Sequence, residues 1–397
     1  MGAVWSSVRP DLDRIKQQGL FRERLTLESP QAPKVRICSS ELTNFCSNDY
    51  LSLANDSRLV LKLQEAARDF GVGSGASPLV CGRSTAHDEL ERAIAEFTGR
   101  DKAVLFSSGY LANLAIVSTF AGSRHAAIFQ DKLNHASMVD GALLSRGRFQ
   151  RYPHVDVKAL DRLLEKSQHK IKLVLTDSVF SMDGDLAPLL EISHLASKHR
   201  ALLAVDDAHG FGVKGYGGAG SLSELGLGQD AVPLMMATLG KAVGCSGAFV
   251  AGRAELVELL IQKARPYIYS TSIPSAIAAT AQEGLKLLAE ERPRQRLQEL
   301  IRYFRQQARS RGIPLSPSDT PIQPLLIGDP EAATKVSSEL LDQGFLVTAI
   351  RPPTVPAGTS RLRITLCAGH SEKDIDGLLS SLSQILPACG QQEKEDA

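Results

Sequence analysis

Short runs of apolar residues alternate with helical patterns along the middle of the chain. Six of these runs predict buried strands, at residues 103–106, 126–130, 171–176, 202–206, 234–238 and 248–251. Strands that are almost continuously apolar and are separated by helices indicate a mostly parallel sheet that is covered on both faces. The pattern therefore predicts an α/β fold for this part of the chain.

The two ends of the chain show different patterns. A charged, helix-prone stretch and a short hairpin predict an N-terminal arm over residues 1–45. We predict a large domain over 46–290, then a small C-terminal α+β domain over 291–390 that begins where the composition becomes charged. The polar tail, 391–397, is expected to be disordered.

Within the small domain, apolar periodicity predicts three strands and two further helices. The predicted strands are 323–327, 346–350 and 361–366, and the predicted helices are 332–343 and 372–385. In the arm, the hairpin strands are expected at 35–37 and 42–45, and helices are expected in the large domain at 59–70 and 87–97.

The composition excludes several classes of function. The 397 residues carry a net charge of +1, which gives no electrostatic reason to expect a nucleic acid or an anionic membrane as a partner. The six cysteines form no C-x-x-C pair and no metal-binding spacing, so reduced thiols in a cytoplasmic protein are expected. No apolar run approaches the length of a membrane span.

Polar residues concentrate directly after the predicted strands. They lie at 107–109, 131–135, 177–185, 206–209 and 238–241. In open parallel sheets, ligands bind beyond the carboxyl ends of the strands, where such loops meet. The distribution therefore predicts one site built from several loops.

Lys241 lies just after an apolar strand, in a stretch rich in glycine. Burial would lower the pKa of this lysine, as a nucleophilic lysine requires. Considered alone, Lys241 is better explained as a surface lysine in a loop. Asp206 and His209, which follow another apolar strand, favour the functional interpretation.

The remaining strand ends suggest binding groups for a flat, phosphorylated ligand. A helix that begins near Gly109 offers free N–H groups to a phosphate, although an ordinary capped helix explains the same residues. His135 is a candidate for stacking or acid–base chemistry, or simply a residue at a helix start. Asp206 needs a partner such as a protonated ring nitrogen or a capping contact, and His209 is a donor for a phenolate-type oxygen.

Together these groups describe a pyridoxal phosphate site, because the cofactor needs a lysine, a carboxylate and a phosphate cradle. A metal site at Asp131, His135, Asp206 and His209 is the alternative. The metal site lacks a compact ligand motif such as H-E-x-x-H, and it would give Lys241 no role. The glycine-rich loop 71–77 is not a dinucleotide motif, and we expect its backbone to pack tightly near a site.

Several blocks of the sequence resemble the α-oxoamine synthases, which are fold-type I pyridoxal phosphate enzymes. The shared blocks extend over nearly the whole chain and comprise 45–51, 71–77, 179–185, 205–210 and 269–272. Block 348–359 is most similar to the branch of the family that serves biotin biosynthesis. The resemblance implies a fold-type I transferase with a large domain and a smaller C-terminal domain.

The resemblance also implies how the cofactor is held. Lys241 would bind it covalently, Asp206 would pair with the ring nitrogen, His209 would meet the ring oxygen beside Ser181, and His135 would stack on the ring. The remaining residues would contact the cofactor phosphate: Gly109, Tyr110 and Thr238 in the same subunit, and Ser270 and Thr271 from the partner in a homodimer.

For the substrates, the resemblance implies that Arg351, helped by Asn48, binds the carboxylate of an amino acid. Arg22 and Thr354 match positions that line the path of the acyl substrate, and His135 is a candidate acid for the acyl carbonyl. Lys241, His135, Asp206 and His209 would be the catalytic residues.

The reaction implied is an acyl transfer: the decarboxylative condensation of L-alanine with a pimeloyl thioester to give 8-amino-7-oxononanoate. The acyl carrier is coenzyme A or acyl carrier protein, and the sequence leaves both open. Three alternatives remain: a related synthase that condenses glycine, such as glycine C-acetyltransferase, an aminotransferase of the same fold, and a non-catalytic partner subunit. One methyl group changes substrate preference by only about 1–3 kcal/mol, so the choice between alanine and glycine needs an experiment.

Overall fold

The computed structural model describes residues 3–395. The side chains of residues 3, 5, 6 and 387–395 lie outside this description. The chain forms two compact units. The terminal unit comprises the chain up to Asn48, Met182–Gly184 and the chain from Arg296 onward, and the central unit comprises Asp49–Ser181 and Asp185–Gln295. The domain boundaries expected from the sequence stay a prediction.

The terminal unit begins with a helix and the expected hairpin. These elements are α1 (Ala3–Gln17), β1 (Lys34–Ile37) and β2 (Ser40–Asn44). The two strands pair antiparallel, and alternate residues of β1 are buried, as the period of two in a half-buried strand requires.

The central unit contains a seven-stranded sheet with helices along the chain between its strands. The strands are β3 (Lys102–Phe106), β4 (Ala126–Asp131), β5 (Arg148–Tyr152), β6 (Ile171–Asp177), β7 (Leu202–Asp206), β8 (Leu234–Thr238) and β9 (Ala248–Gly252). The helices are α2 (Ser57–Phe70), α3 (Thr85–Thr98), α4 (Gly109–Phe120), α5 (Ala136–Leu144), α6 (Val157–Lys166), α7 (Leu189–Lys198), α8 (Ser221–Glu224), α9 (Ala254–Lys263), α10 (Arg265–Ile268) and α11 (Ser275–Leu288).

The order of this sheet is β3-β9-β8-β7-β6-β4-β5. Only β9 runs antiparallel to its neighbours β3 and β8, so the sheet is mostly parallel. The middle strands are buried along almost their whole length. This burial explains why they read as continuous apolar runs, and the predicted α/β fold is confirmed.

The terminal unit continues with α12 and a three-stranded sheet. Its elements are α12 (Glu291–Ser310), which begins just before the division between the units, β10 (Ile322–Gly328), α13 (Pro330–Asp342), β11 (Phe345–Leu346), β12 (Thr348–Ile350), β13 (Ser360–Thr365) and α14 (Glu372–Glu395). Strands β10, β13 and β12 pair antiparallel, and β11 adds to the hairpin sheet beside β2. The backbone of the predicted tail is helical as far as Glu395, and residues 396 and 397 lie outside the described residues.

The strands differ from the expected ones in two places. Strand β5 was missed because it is a polar edge strand, and edge strands often carry charged residues instead of an apolar run. The single strand expected at 346–350 is divided between two sheets, since β11 pairs with β2 and β12 pairs with β13. A Cβ on Gly71, Gly73 or Gly75 would meet no atom of the same chain within 4 Å, so the tight packing expected of the loop 71–77 near a site stays a prediction.

No helix among the described residues combines the length and the apolar character that a membrane span requires.

Candidate active site

The turn that carries Lys241 leaves the end of β8 and packs closely on the loop after Tyr50. Gly244 has φ +71°, and a Cβ there would lie 2.5 Å from the backbone carbon of Leu53. Only glycine accepts both this conformation and this close approach. The sequence therefore fixes the turn, and with it the position of Lys241, against the loop that contains Tyr50.

Lys241 contacts His209, and His209 contacts Tyr50. Nζ of Lys241 lies 2.9 Å from Nε2 of His209, and Nδ1 of His209 lies 2.6 Å from the Tyr50 hydroxyl. Tyr50 is fully buried. The three side chains form a continuous path along which hydrogen bonds can transmit a change in protonation.

Asp206 ends β7 as a buried carboxylate. Its oxygens accept hydrogen bonds from Asn113 Nδ2 at 2.8 Å and from the Ala208 N–H at 3.0 Å. Both donors are neutral, and a buried carboxylate is stabilised best by a cation. Asp206 therefore suits a ligand that brings a positive charge, such as a protonated ring nitrogen.

A second carboxyl group lies beside Asp206. Asp177 ends β6 and is directly opposite Asp206 in the parallel register. Burial, together with the charge of Asp206, raises the pKa of Asp177 well above its usual range. Asp177 also accepts a hydrogen bond from the backbone N–H of His135 at 2.8 Å, which fixes the start of α5. Of the two carboxyl groups, Asp206 is thus the one suited to a cationic partner.

His135 is the N-cap residue of α5. Its Nδ1 accepts a hydrogen bond from the Ser137 N–H at 3.3 Å and lies 2.7 Å from the Ser137 hydroxyl. Burial lowers the pKa of His135, partly opposed by the charge of Asp206, so the ring is neutral near pH 7. The neutral ring borders the same cavity as Lys241.

This cavity has a volume of about 510 Å³. Its lining brings together most of the residues predicted to contact the cofactor: Gly109, Tyr110, His135, Asp206, His209, Thr238 and Lys241. Gly109 and Tyr110 open α4, where the first N–H groups of a helix lack partners within the helix. The Thr238 hydroxyl accepts from the Gly240 N–H at 3.1 Å and donates to the Gly247 carbonyl at 3.0 Å.

The donor set fits pyridoxal phosphate. The start of α4 offers N–H groups and a helix dipole to a phosphate. Asp206 offers a buried negative charge to the ring nitrogen, His209 a hydrogen bond to a ring oxygen, and Lys241 an amine. Each chemical group of the cofactor thus finds a complementary residue along one cavity.

Other predicted site residues lie elsewhere. Ser270 and Thr271 line a different cavity of the central unit, about 370 Å³ in volume, together with Ser107. Ser181, in the turn after β6, is not part of either lining. In the terminal unit, Arg351 donates to the backbone carbonyls of Gly19 and Phe21, next to the exposed Arg22, and accepts from the Thr354 N–H through its own carbonyl.

Sequence reasoning missed four residues that position the site, and it missed Arg363. Tyr50, Asn113, Ser137 and Asp177 contact predicted residues directly. Arg363 is buried, and its guanidinium donates to Asn48 Oδ1 at 3.0 Å. Tyr50 lies inside block 45–51, which the sequence singled out, but no pattern indicates which distant residue Tyr50 or Asn113 would meet.

Comparisons with known proteins agree with this geometry. The profile of the aminotransferase class I and II family matches residues 40–382. The 8-amino-7-oxononanoate synthase of Hahella chejuensis is 52% identical over 379 residues, which cover 95% of this chain and 96% of that protein. A serine palmitoyltransferase from S. paucimobilis, solved with bound PLP and myriocin, is 30% identical with a TM-score of 0.91 and covers 98% of both chains.

A further solved structure, the 8-amino-7-oxononanoate synthase of Francisella tularensis, has a TM-score of 0.76 and 30% identity, and covers 87% of this chain and 98% of that chain. The family match extends over more than half of the chain, and the relatives resemble it from end to end. The chain therefore belongs to the aminotransferase class I and II family and, within it, to the α-oxoamine synthases, which use pyridoxal phosphate.

Proposed function

We propose that the chain condenses L-alanine with a pimeloyl thioester, carried by coenzyme A or acyl carrier protein, to give 8-amino-7-oxononanoate. The Cα–H bond of alanine breaks, Cα bonds to the acyl carbonyl carbon, and the thiol leaves. The alanine carboxylate then departs as carbon dioxide, and Cα takes up a proton. The observation that carries the proposal is the 52% identity, over 95% of the chain, to a protein named for this product.

Pyridoxal phosphate, when bound, supplies an electron sink for the negative charge that develops at Cα. We assign the phosphate to Gly109, Tyr110 and Thr238, and the protonated ring nitrogen to Asp206. His209, with Ser181, would hold the ring oxygen. The cavity lining supports all of these assignments except Ser181, whose place rests on the resemblance alone.

Lys241 is the residue that would bind the cofactor and then remove the proton from Cα. It must be neutral to accept a proton, and His209 at 2.9 Å is placed to take up or return that proton. His135 would donate a hydrogen bond to the acyl carbonyl oxygen, where negative charge develops. Lys241 would thus supply the base in this cavity, and His135 would supply the hydrogen-bond donor.

The terminal unit supplies the candidates for substrate binding. The resemblance makes Arg351, with Asn48, one candidate for the alanine carboxylate, and it assigns Arg22 and Thr354 to the acyl path. The contact of Arg363 with Asn48 makes Arg363 a second candidate for the carboxylate. A planar guanidinium can bind a carboxylate through two parallel hydrogen bonds, so either arginine is chemically suitable.

A homodimer is part of the proposal. Val72, Leu79 and Val80 are large apolar side chains that the single chain leaves exposed, at 85%, 51% and 76%. They lie in and just after the glycine-rich loop, which has open space around its glycines. Such a surface is typical of one that a second subunit covers. Ser270 and Thr271 would then reach the cofactor phosphate of the partner subunit.

The experiment that tests the proposal follows cofactor binding and product formation with purified protein. Pyridoxal phosphate is added, its absorbance is recorded, and L-alanine or glycine is supplied with pimeloyl-CoA, pimeloyl-acyl carrier protein or acetyl-CoA. We expect 8-amino-7-oxononanoate and carbon dioxide with alanine and a pimeloyl thioester. Efficient condensation of glycine with acetyl-CoA would instead identify a glycine-using synthase. Failure to take up the cofactor would leave the non-catalytic subunit as the better explanation.

A further inference from the structure

A path of hydrogen bonds links the two predicted catalytic residues Asp206 and His135. Asn113 Nδ2 lies 2.8 Å from Asp206 Oδ2 and 2.8 Å from Ser137 Oγ. Ser137 Oγ in turn lies 2.7 Å from His135 Nδ1. Asn113 is 2% exposed and Ser137 is 0% exposed, so water does not compete for these bonds.

The direction of each hydrogen bond follows from the chemistry of Asp206. An ionised carboxylate only accepts, so the amide group of Asn113 must turn its NH₂ toward Asp206. The second N–H of the same NH₂ then donates to Ser137 Oγ. Because Ser137 Oγ already accepts this bond, its own hydrogen is available to donate to His135 Nδ1.

The backbone supports the same assignment independently. The Ser137 N–H also points at His135 Nδ1, at 3.3 Å, as the N-cap bond of α5. A proton on Nδ1 would face this N–H and remove the acceptor that the helix start needs. A positive ring would also be unfavourable at the positive end of the helix dipole.

We infer that Asn113 and Ser137 are positioning residues that hold His135 as the neutral tautomer with its proton on Nε2. The tautomer of a histidine is set by the bond that its other nitrogen makes. With Nδ1 engaged as an acceptor, Nε2 is left as an N–H donor on a ring that borders the cavity. The inference rests on the proposed function in one respect: that this N–H serves the acyl carbonyl oxygen.

The arrangement also makes the tautomer depend on the charge of Asp206. The carboxylate that is suited to a protonated ring nitrogen is the group that orients Asn113, and hence Ser137. In Asp206→Asn the requirement that Asn113 present its NH₂ is lost, and only the Ser137 N–H still favours the tautomer, so a larger share of His135 is expected to carry its proton on Nδ1. The negative charge of Asp206 would thus serve both the ring nitrogen of the cofactor and, through Asn113 and Ser137, the N–H donor of His135.

The test is a direct reading of the tautomer. The protein is labelled with ¹⁵N-histidine and loaded with pyridoxal phosphate, and two-bond ¹⁵N–¹H correlations are recorded at pH 7.5. His135 is assigned among the nine histidines by the signal that disappears in His135→Gln. We expect an unprotonated Nδ1 and a protonated Nε2. A protonated Nδ1 in the wild-type protein would overturn the inference.

Substitutions then connect the tautomer to the reaction. Ser137→Ala is expected to give a mixture of both tautomers and to lower kcat about fivefold to tenfold, as the loss of one hydrogen bond predicts. KM for both substrates and the dissociation constant of pyridoxal phosphate should stay within about twofold, and Ser137→Thr should restore kcat. Asn113→Leu should act in the same direction. The control is Ser193→Ala, a buried serine of α7 whose hydroxyl donates to the Leu190 carbonyl.

The outcomes separate this inference from the proposed function. If no thioester is condensed but His135 shows the expected tautomer, the proposed function fails while the positioning of His135 stands. If alanine is condensed and Ser137→Ala changes neither the tautomer nor kcat, the inference fails alone. A fall in kcat in Ser137→Ala without any change of tautomer would also count against it.

Discussion

The hydroxyl of Tyr50 lies 2.6 Å from Nδ1 of His209, the histidine that contacts Lys241 through its other ring nitrogen. A tyrosine hydroxyl can both donate and accept, so it can follow either tautomer of His209. When Lys241 is protonated, its ammonium donates to Nε2 and Tyr50 accepts from Nδ1. When His209 donates from Nε2 to a ring oxygen, Tyr50 donates to Nδ1.

We predict that Tyr50→Phe removes the hydroxyl that adapts to either tautomer of His209, without preventing cofactor binding. Loss of the hydroxyl should lower kcat about fivefold to tenfold, because one buried hydrogen bond to His209 is removed. The pH at which the absorbance of the bound cofactor changes should also shift, since the donor to its ring oxygen is altered. Tyr152→Phe, the same change in a buried tyrosine of β5, is the control and should leave both measurements unchanged. An unchanged pH titration in Tyr50→Phe would contradict the prediction.

Lys241→Ala is expected to separate binding of the cofactor from its covalent attachment. The N–H groups at the start of α4, which would bind the phosphate, and the carboxylate of Asp206 remain, so pyridoxal phosphate should still bind, but borohydride should no longer fix it to the protein. Condensation should fall by at least about 10²-fold, the lower range for loss of a general base. Mass spectrometry after reduction and a thermal unfolding curve are the measurements. Retention of a covalent adduct at another lysine would show that the assignment of Lys241 is wrong.

Arg363 and Arg351 give a prediction that distinguishes two candidates. Arg363 is buried and bonds to Asn48 at 3.0 Å, whereas Arg351 holds the segment next to Arg22 through the carbonyls of Gly19 and Phe21. We expect Arg363→Lys to raise KM for alanine about tenfold or more, because lysine cannot make the two parallel bonds of a guanidinium.

Arg351→Lys is expected to act mainly on KM for the pimeloyl thioester, since it loosens the segment that carries Arg22. Each variant is the control for the other, and steady-state kinetics with one substrate varied at a time is the measurement. A rise in KM for alanine in Arg351→Lys alone would favour the role that the sequence suggested for Arg351.

The sequence predicted the groups that end strands better than the contacts between helices. Asp206 and Lys241 were found because the carboxyl ends of parallel strands meet at one edge of a sheet, whatever the details of packing. The contact of Asn113 with Ser137 depends on how α4 packs on α5, and no periodicity in the sequence specifies that register. The contact of Asn48 with Arg363 was not predicted for a similar reason, since Arg363 lies on a strand more than 300 positions away.

Strand β5, at the edge of the central sheet, also could not be predicted from the sequence. Residues Arg148–Tyr152 form a strand because β4 offers a free edge for pairing, although their own pattern of charges favours a loop. Tertiary pairing decides such a segment, so it could not be predicted from its local sequence.

His154 lies between two aspartates of the central unit and contacts both. Its Nδ1 lies 2.9 Å from Asp131 and its Nε2 lies 2.7 Å from Asp185. Burial alone would lower the pKa of His154, but the hydrogen bonds and charges of the two carboxylates outweigh it and raise the pKa to about 10. The ring is therefore a cation that links the end of β4 to the segment after β6.

This linkage should make the stability of the protein depend on pH. Because the pKa of His154 is higher in the folded state than its ordinary value of 6.5, its contribution is fully present below about pH 6.5 and is lost as the pH rises through about 10. His154→Gln should lower the free energy of unfolding by about 3 kcal/mol at pH 6, since it leaves two carboxylates without their cation. The difference in the free energy of unfolding between the wild-type protein and His154→Gln should shrink steadily between pH 7 and pH 10, as measured by urea unfolding. His199→Gln, which removes a histidine paired with a single carboxylate, Asp161, is the control and should cost less than His154→Gln, because only one carboxylate loses a partner. A stability difference that stays constant over this pH range would show that His154 is not held as a cation.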